Sequence, residues 1–280
     1  MTAVSPMMIH DAVANALKED LGDAGDITTS ACIPAGAVST AEINARRDGV
    51  IAGTELALAA FRLIEPAINA KIVRPDGAHV KAGEAVIALY GPSRGILTGE
   101  RVALNFLGHL SGVATATAAL VDAVAGTRAA IACTRKTTPG LRAFEKYAVK
   151  CGGGVNHRFG LYDAVMIKDN HIAAAGGIAN ALRAAKASVG HMVKVEIEVD
   201  GLGQFREALD GDADVILLDN MSTDELKKAV AMTGGRAVLE ASGNVTVNTV
   251  RAIAETGVDV ISSGWITHSA PSLDLGMDFS

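Results

Sequence analysis

The chain is 280 residues long, 49% hydrophobic and 20% charged, with a mean hydropathy of +0.29, enough apolar material for one large domain or two smaller ones. Its formal net charge of -6 argues against a non-specific nucleic-acid binder, which needs an excess of positive charge. Aromatics make up only 4% while alanine and glycine are abundant, a composition suited to close helix–strand packing rather than to an aromatic-rich β-architecture.

The opening residues, MTAVSPMMIHDAVANALKEDLG, lack the basic start and long apolar run of a signal peptide. No uninterrupted apolar stretch approaches ~18 residues, so no membrane span is expected and a cytoplasmic location is. The three cysteines, Cys32, Cys133 and Cys151, have no paired metal spacing and an odd count, and read as buried reduced thiols. Cys151 lies beside a basic loop, but no feature of the sequence requires it to react.

Residues 7–21 place Ile9, Val13, Leu17 and Leu21 four apart, which predicts an amphipathic helix. GDAGDITTSACIP follows as a turn-rich segment. Residues 37–53 predict strands with a turn at Asp48-Gly49. Residues 54–64 predict a helix with Thr54 as N-cap. KIVRPDGAHVKAGEAVIALYGP reads as a β-meander with turns at Asp76-Gly77 and Ala82-Gly83. Its spacing is like that of a lipoyl-type carrier hairpin, but Lys81 lacks the flanking pattern of a modifiable lysine. Residues 96–125 predict a helix broken near Ser111-Gly112 and then a second, alanine-rich helix, with Arg101 and Asn105 on one face.

Residues 133–158 carry Arg135, Lys136, Arg142, Lys146, Lys150, His157 and Arg158 against one acid, Glu145. Lys146 and Lys150, four apart, predict a solvated helix face. Arg135, Lys136, His157 and Arg158 sit beside the turns Pro139-Gly140 and Gly152-Gly153-Gly154. Positive groups held next to glycine turns suit a carboxylate or phosphate ligand, because backbone can approach closely and guanidinium forks match those anions.

From Ala129 onward, short apolar runs alternate with helical segments. The runs are AAIAC, DAVMI, VKVEIEV, DVILL, AVLEA and VDVIS. A parallel crossover needs a connection about as long as a helix, so the alternation predicts parallel βα units. Functional residue types stand at the end of every run: Arg135 and Lys136 after AAIAC, Lys168 after DAVMI, Glu196 and Glu198 within VKVEIEV and Asp200 after it, Asp219 after DVILL, then Ser242-Gly243-Asn244 and Ser263-Gly264. In a barrel of parallel strands these ends converge on one face, where an active site is built. The count is six strands, short of the usual eight. Glu196 and Glu198 are two apart and point to the same side of a strand. An unpaired carboxylate inside is costly, so at least one is expected to meet a metal or a cation. A hard Mg²⁺ shared with substrate phosphates fits this inventory and zinc does not. The loops EASGNV and SSGW are candidate phosphate loops. Ser222 and Asn248 read as ordinary helix N-caps. His171 and His268 read as structural, while His157 draws interest through its neighbours Asn156 and Arg158.

TRKTTPGLR, GGGVNHR, MIKDNHI, EIEVD, ILLDN, LEASGN and GWITHS, with EDLGDAGDITT near the start and GERVALNFLGHLSG in the middle, resemble quinolinate phosphoribosyltransferases over nearly the whole chain and in the same order. The resemblance implies an N-terminal α/β sandwich-like domain, residues 1–110, to which residues 270–280 can return. It implies an open, incomplete α/β barrel over residues 111–269. It also implies transfer of phosphoribose from 5-phosphoribosyl 1-diphosphate to quinolinate with Mg²⁺, releasing diphosphate and CO₂ and giving nicotinate mononucleotide for NAD synthesis.

By the same resemblance Arg135, His157 and Arg158 hold quinolinate, and Lys136 and Lys168 lie near the dicarboxylate and the diphosphate. Glu198 and Asp219 stand near ribose and metal. Ser242, Gly243, Asn244, Ser263 and Gly264 form phosphate loops. Arg101 comes from the neighbouring subunit of a homodimer or larger assembly. Asn244 departs from the family pattern, where a second glycine is common, and so does Trp265, where a small residue is common. Two other readings stay open: a related phosphoribosyltransferase for another small acid, and a non-catalytic metabolite sensor.

Overall fold

A computed structural model describes residues 4–279; residues 1–3 and 280, which enter the readings of the N-terminus and of the tail, lie outside the described residues. The chain begins with α1 (Pro6–Leu21), α2 (Ile27–Cys32), β1 (Val38–Ala45), β2 (Gly49–Val50) and α3 (Thr54–Ile64). It continues through β3 (Asn69–Ile72), β4 (His79–Val80), β5 (Ala85–Pro92) and α4 (Ser93–Ala123). Then come β6 (Ala130–Ala132), α5 (Arg142–Cys151), β7 (Val165–Ile167), α6 (Asp169–Ala175), α7 (Ile178–Ser188), β8 (Val195–Val199) and α8 (Leu202–Asp210). The last elements are β9 (Val215–Asp219), α9 (Thr223–Thr233), β10 (Val238–Ser242), α10 (Val247–Ala254), β11 (Val260–Ser262), α11 (Trp265–His268) and β12 (Leu275–Phe279).

Two units emerge. One comprises the described residues up to Ala118, with Ala143–Gly153 and the tail from Ala270; the other comprises Ala119–Arg142 and Gly154–Ser269. The first unit holds an antiparallel sheet of order β12-β1-β5-β3, in which the tail strand pairs Leu275 with Ala45 and Phe279 with Ala41. β3 and β5 pair directly, and β4 leaves them to pair with β2, so this region is not a simple meander.

Several sequence expectations are corrected in this unit. The turn-rich segment contains α2, which forms because Asp26 accepts the Thr29 amide at 2.8 Å. Thr54 is the first helical residue rather than the cap. Gly53 takes that place at φ +97, where a Cβ would lie 2.8 Å from Leu110, and Asp76 accepts the Thr54 amide from across the chain.

α4 is not broken at Ser111-Gly112. The Ser111 hydroxyl takes both backbone groups of Ala52, accepting at 3.0 Å and donating at 3.2 Å, and a Cβ on Gly112 would sit 2.2 Å from the Pro271 carbonyl oxygen. The small pair serves close packing, not a chain break. The helix is long and apolar enough to cross a membrane, yet 67% of its apolar window is buried, as in a core helix.

The solvated-face reading of α5 also fails for Lys146, which is fully buried, while Lys150 stays exposed. Glu145 is buried too and meets His109 at 2.8 Å, and Tyr147 donates to Asp76 at 2.8 Å. A Cβ on Gly152 would lie 2.3 Å from the Ala114 carbonyl oxygen. These contacts group Ala143–Gly153 with the first unit. Of the cysteines, Cys32 is exposed rather than buried, because it ends the short surface helix α2. Burial pushes the Cys151 thiol up to about 12, which makes it unreactive at neutral pH.

The second unit is the predicted βα alternation. Six parallel strands stand in the order β6-β11-β10-β9-β8-β7. Successive strands are neighbours from β7 to β11, and β11 then returns to β6. Among the described residues no ladder joins β6 to β7, so this α/β barrel is open at that point. Val155 forms a single parallel bridge to Ala132 on the free side of β6 and so anchors the residues before His157. The hydrophobic strand residues, such as Ile197, Ile216, Leu218 and Ile261, are buried, and α7 to α10 follow their strands. α6 was not predicted: it starts directly after Lys168, whose amide is accepted by His171 Nδ1 at 3.0 Å. Ser222 caps α9 as expected, whereas Asn248 lies inside α10, whose cap is Thr246.

Candidate active site

The C-terminal ends of the six strands surround a cavity of about 1130 Å³. Arg135, Lys136, His157, Arg158, Lys168, Glu198, Asp219, Ser242, Gly243, Asn244, Ser263 and Gly264 all line it. Arg101 does not; it lines a cavity of the first unit with Asn105 and His109, its successors at four-residue steps on α4.

The cationic side is built from two arginines. Arg158 donates Nη1 to the Ala164 carbonyl at 3.1 Å, which fixes the far end of its guanidinium. The Nε atoms of Arg135 and Arg158 are both buried without an acceptor. Burial, and then the neighbouring Arg135, hold Arg158 below its ordinary range. Two like charges side by side with unanswered donors favour an anionic ligand, since a buried donor without a partner costs about 1–3 kcal/mol. Lys136 is set by its backbone: its amide donates to Thr134 Oγ1 at 3.1 Å and its carbonyl accepts from Thr267 Oγ1 at 2.7 Å.

The acidic side comes from β8 and β9. Glu198 pairs with Lys168, so the expected cation for a strand carboxylate is this lysine. Asp219 accepts from Asn220 Nδ2 at 2.8 Å. The two carboxylates and the Asn220 amide are hard oxygen donors facing one cavity, which fits Mg²⁺, an ion commonly held by one or two carboxylates together with substrate phosphate.

Two loops complete the rim. Gly243 has φ +104, and a Cβ there would lie 2.1 Å from Asn220 Oδ1. Asn244 follows at φ +50, a left-handed conformation that asparagine tolerates better than most residues, so the departure from glycine keeps the loop's path. Gly264 leaves room for Lys136, whose Cδ would be 2.9 Å from an added Cβ. Trp265 lines the cavity and is half exposed.

Glu240 escaped the sequence reading, and Glu196 entered it only as the companion of Glu198. Glu196 Oε2 lies 2.9 Å from His157 Nε2, and Glu240 Oε1 lies 3.8 Å from the same nitrogen. Both carboxylates are buried, and each keeps one oxygen without a hydrogen-bond partner. Burial first, then Glu196, push Glu240 up to about 7. The available signal was a carboxylate inside an apolar strand run, two residues before a selected position: Glu196 before Glu198, and Glu240 before Ser242.

Comparison with known proteins agrees across the chain. Residues 26–111 match the N-terminal domain of quinolinate phosphoribosyl transferase and residues 113–278 match its C-terminal domain. A probable nicotinate-nucleotide pyrophosphorylase [carboxylating] of Bacillus subtilis is 44% identical over 93% of this chain and 89% of its own. The nicotinate-nucleotide pyrophosphorylase [carboxylating] of Mycobacterium leprae is 44% identical over 96% of both. Among solved structures, the nicotinate-nucleotide pyrophosphorylase of Francisella tularensis superposes with a TM-score of 0.96 at 38% identity, over 99% of this chain and 98% of its own.

Proposed function

The chain belongs to the quinolinate phosphoribosyltransferase family, and on that premise we propose that it joins quinolinate to 5-phosphoribosyl 1-diphosphate, giving nicotinate mononucleotide, diphosphate and CO₂ for NAD synthesis. The observation that carries this reading in the chain itself is the pair of buried guanidinium Nε donors of Arg135 and Arg158, unanswered on one cavity wall. Quinolinate is a dianion, and two forks can grip its carboxylates from different directions.

The pyridine nitrogen attacks C1 of the ribose as the bond to diphosphate breaks. Positive charge then develops on the ribosyl carbon, and Glu198 and Asp219 stabilise it electrostatically. Lys136 and Lys168 take up negative charge on the departing diphosphate, with Lys168 exchanging Glu198 for phosphate oxygen. The Ser242-Gly243-Asn244 and Ser263-Gly264 backbones receive the ribose phosphate. Mg²⁺, held by Asp219 and Glu198, would supply further neutralisation of the diphosphate. Loss of CO₂ from the carbon beside the quaternised nitrogen leaves its electron pair to be drawn toward that nitrogen before a proton replaces it, so no lysine Schiff base is needed.

Purified protein incubated with the phosphoribosyl donor and either quinolinate or nicotinate tests the assignment. Quinolinate should be consumed with equimolar CO₂ and diphosphate; turnover of nicotinate alone would reject it, and binding without diphosphate release would favour a sensor. We further propose a cytoplasmic homo-oligomer in which Arg101 serves the neighbouring subunit's site, since Arg101 lines a cavity of the first unit and is not among the residues lining the cavity that gathers the other predicted residues. Mixing inactive Arg101→Ala and Lys168→Ala proteins should then restore activity in hybrid oligomers. No recovery after subunit exchange has been verified would refute the shared site.

A further inference from the structure

His157 has both ring nitrogens committed to the protein. The Arg158 amide donates to Nδ1 at 2.8 Å, so Nδ1 carries a lone pair and no proton. The proton of the neutral ring therefore sits on Nε2, which faces Glu196 Oε2 at 2.9 Å and Glu240 Oε1 at 3.8 Å. The imidazole links a buried carboxylate of β8 to the peptide that carries Arg158.

We propose that Glu196 is a positioning residue for the acid subsite: through His157 it fixes the backbone that aims the Arg158 guanidinium into the cavity. The proposal rests on the reading that this cavity binds quinolinate. Three anchors surround the short segment. Val155 bridges to Ala132, the Arg158 Nη1 binds the Ala164 carbonyl, and the ring ties the peptide between them to Glu196. Removing the last anchor leaves Arg158 charged and still bound to the Ala164 carbonyl, but on a backbone no longer tied to β8.

The same three side chains have ligand atoms within 4.8 Å of one another and by composition would suit a metal ion. The network argues otherwise. A metal on Nε2 needs that nitrogen's lone pair and a proton on Nδ1, and a protonated Nδ1 would face the Arg158 N–H donor to donor.

The test begins with the full-length protein, without substrate, labelled with ¹⁵N at histidine. The His157 ring, assigned by its loss in His157→Gln, should be protonated at Nε2 only. Calorimetry with quinolinate follows. Glu196→Ala should weaken binding about 10- to 100-fold and leave the KM of the phosphoribosyl donor within about twofold, the loss typical of an outer-shell partner. Glu196→Gln, whose amide oxygen can accept the same N–H, should bind quinolinate within about threefold of the wild type, a difference under 1 kcal/mol. A ring protonated at Nδ1, or at both nitrogens, overturns the proposal whether or not the variants fold. So does unchanged quinolinate affinity in Glu196→Ala, or stoichiometric Zn²⁺ uptake lost in that variant. A wild-type protein with the expected tautomer but no affinity for quinolinate sinks the functional reading itself. The unexpected tautomer in a protein that does turn quinolinate over sinks only the positioning role.

Discussion

Replacing Arg158 is the most direct test of the dicarboxylate clamp. Its Nη1 is held by the Ala164 carbonyl and the residue lines the cavity beside Arg135, where its charged fork would meet a ligand carboxylate. A hydrogen bond to a charged group is worth about 1.5–3 kcal/mol net, and truncating one partner of a buried charge pair costs about 2–5 kcal/mol. One term runs the other way. Arg158 sits beside Arg135, and removing it relieves their mutual repulsion. Taking about 3 kcal/mol as the remainder, Arg158→Ala should raise the quinolinate Kd by about 150-fold. Arg158→Lys keeps the charge but loses the planar fork, and about a tenfold loss is expected. Calorimetry with quinolinate alone, without the donor, isolates this step, and a thermal melt checks folding. An Arg158→Ala protein that is folded and binds quinolinate within about threefold of the wild type would refute the clamp.

Other outcomes follow from the same geometry. Gly243→Ala forces a Cβ against Asn220 at a positive φ, strain worth about 1–3 kcal/mol, and should raise the KM of the phosphoribosyl donor while quinolinate affinity in the absence of donor stays close to wild type. Equal losses for both substrates would argue against a phosphate role for this loop. Gly112→Ala pushes against the Pro271 carbonyl and should destabilise the protein by about 1–3 kcal/mol in denaturant titrations, with an unchanged melt as the contrary result. Glu240 holds its proton more tightly when folded than when unfolded. Its contribution to stability is therefore full below its ordinary value of 4.5 and lost as pH rises through about 7. That gap corresponds to about 3 kcal/mol, so the stability of Glu240→Gln relative to wild type should rise by up to this amount between about pH 5 and pH 8. A difference independent of pH would contradict the buried pair.

Glu240 also shows where reading the chain alone stops. Short apolar runs alternating with helical segments locate all six parallel strands, because each buried strand must be apolar and each crossover must be about as long as a helix. The barrel rule then gathers Arg135, Lys168, Glu198, Asp219 and Ser242 on one face, since polar residues at strand ends have few other reasons to recur. Inside the strands the rule gives no help. Glu196 and Glu240 sit at positions where an apolar side chain is the default, and only the arrival of His157 between them makes their burial tolerable.

Lys146 and Ser111-Gly112 misled for a related reason. A lysine repeated at four residues and a small pair in a helix have local meanings, a solvated face and a break, that hold only when nothing packs there. In this chain Lys146 is fully buried and Gly112 receives the Pro271 carbonyl from a segment about 160 residues away. Local periodicity and strand-end chemistry were thus determined by the sequence. The direction of each burial, the partner of each buried charge and the tautomer of His157 were decided only when distant segments met, because desolvation and hydrogen-bond geometry depend on neighbours that no window of sequence contains.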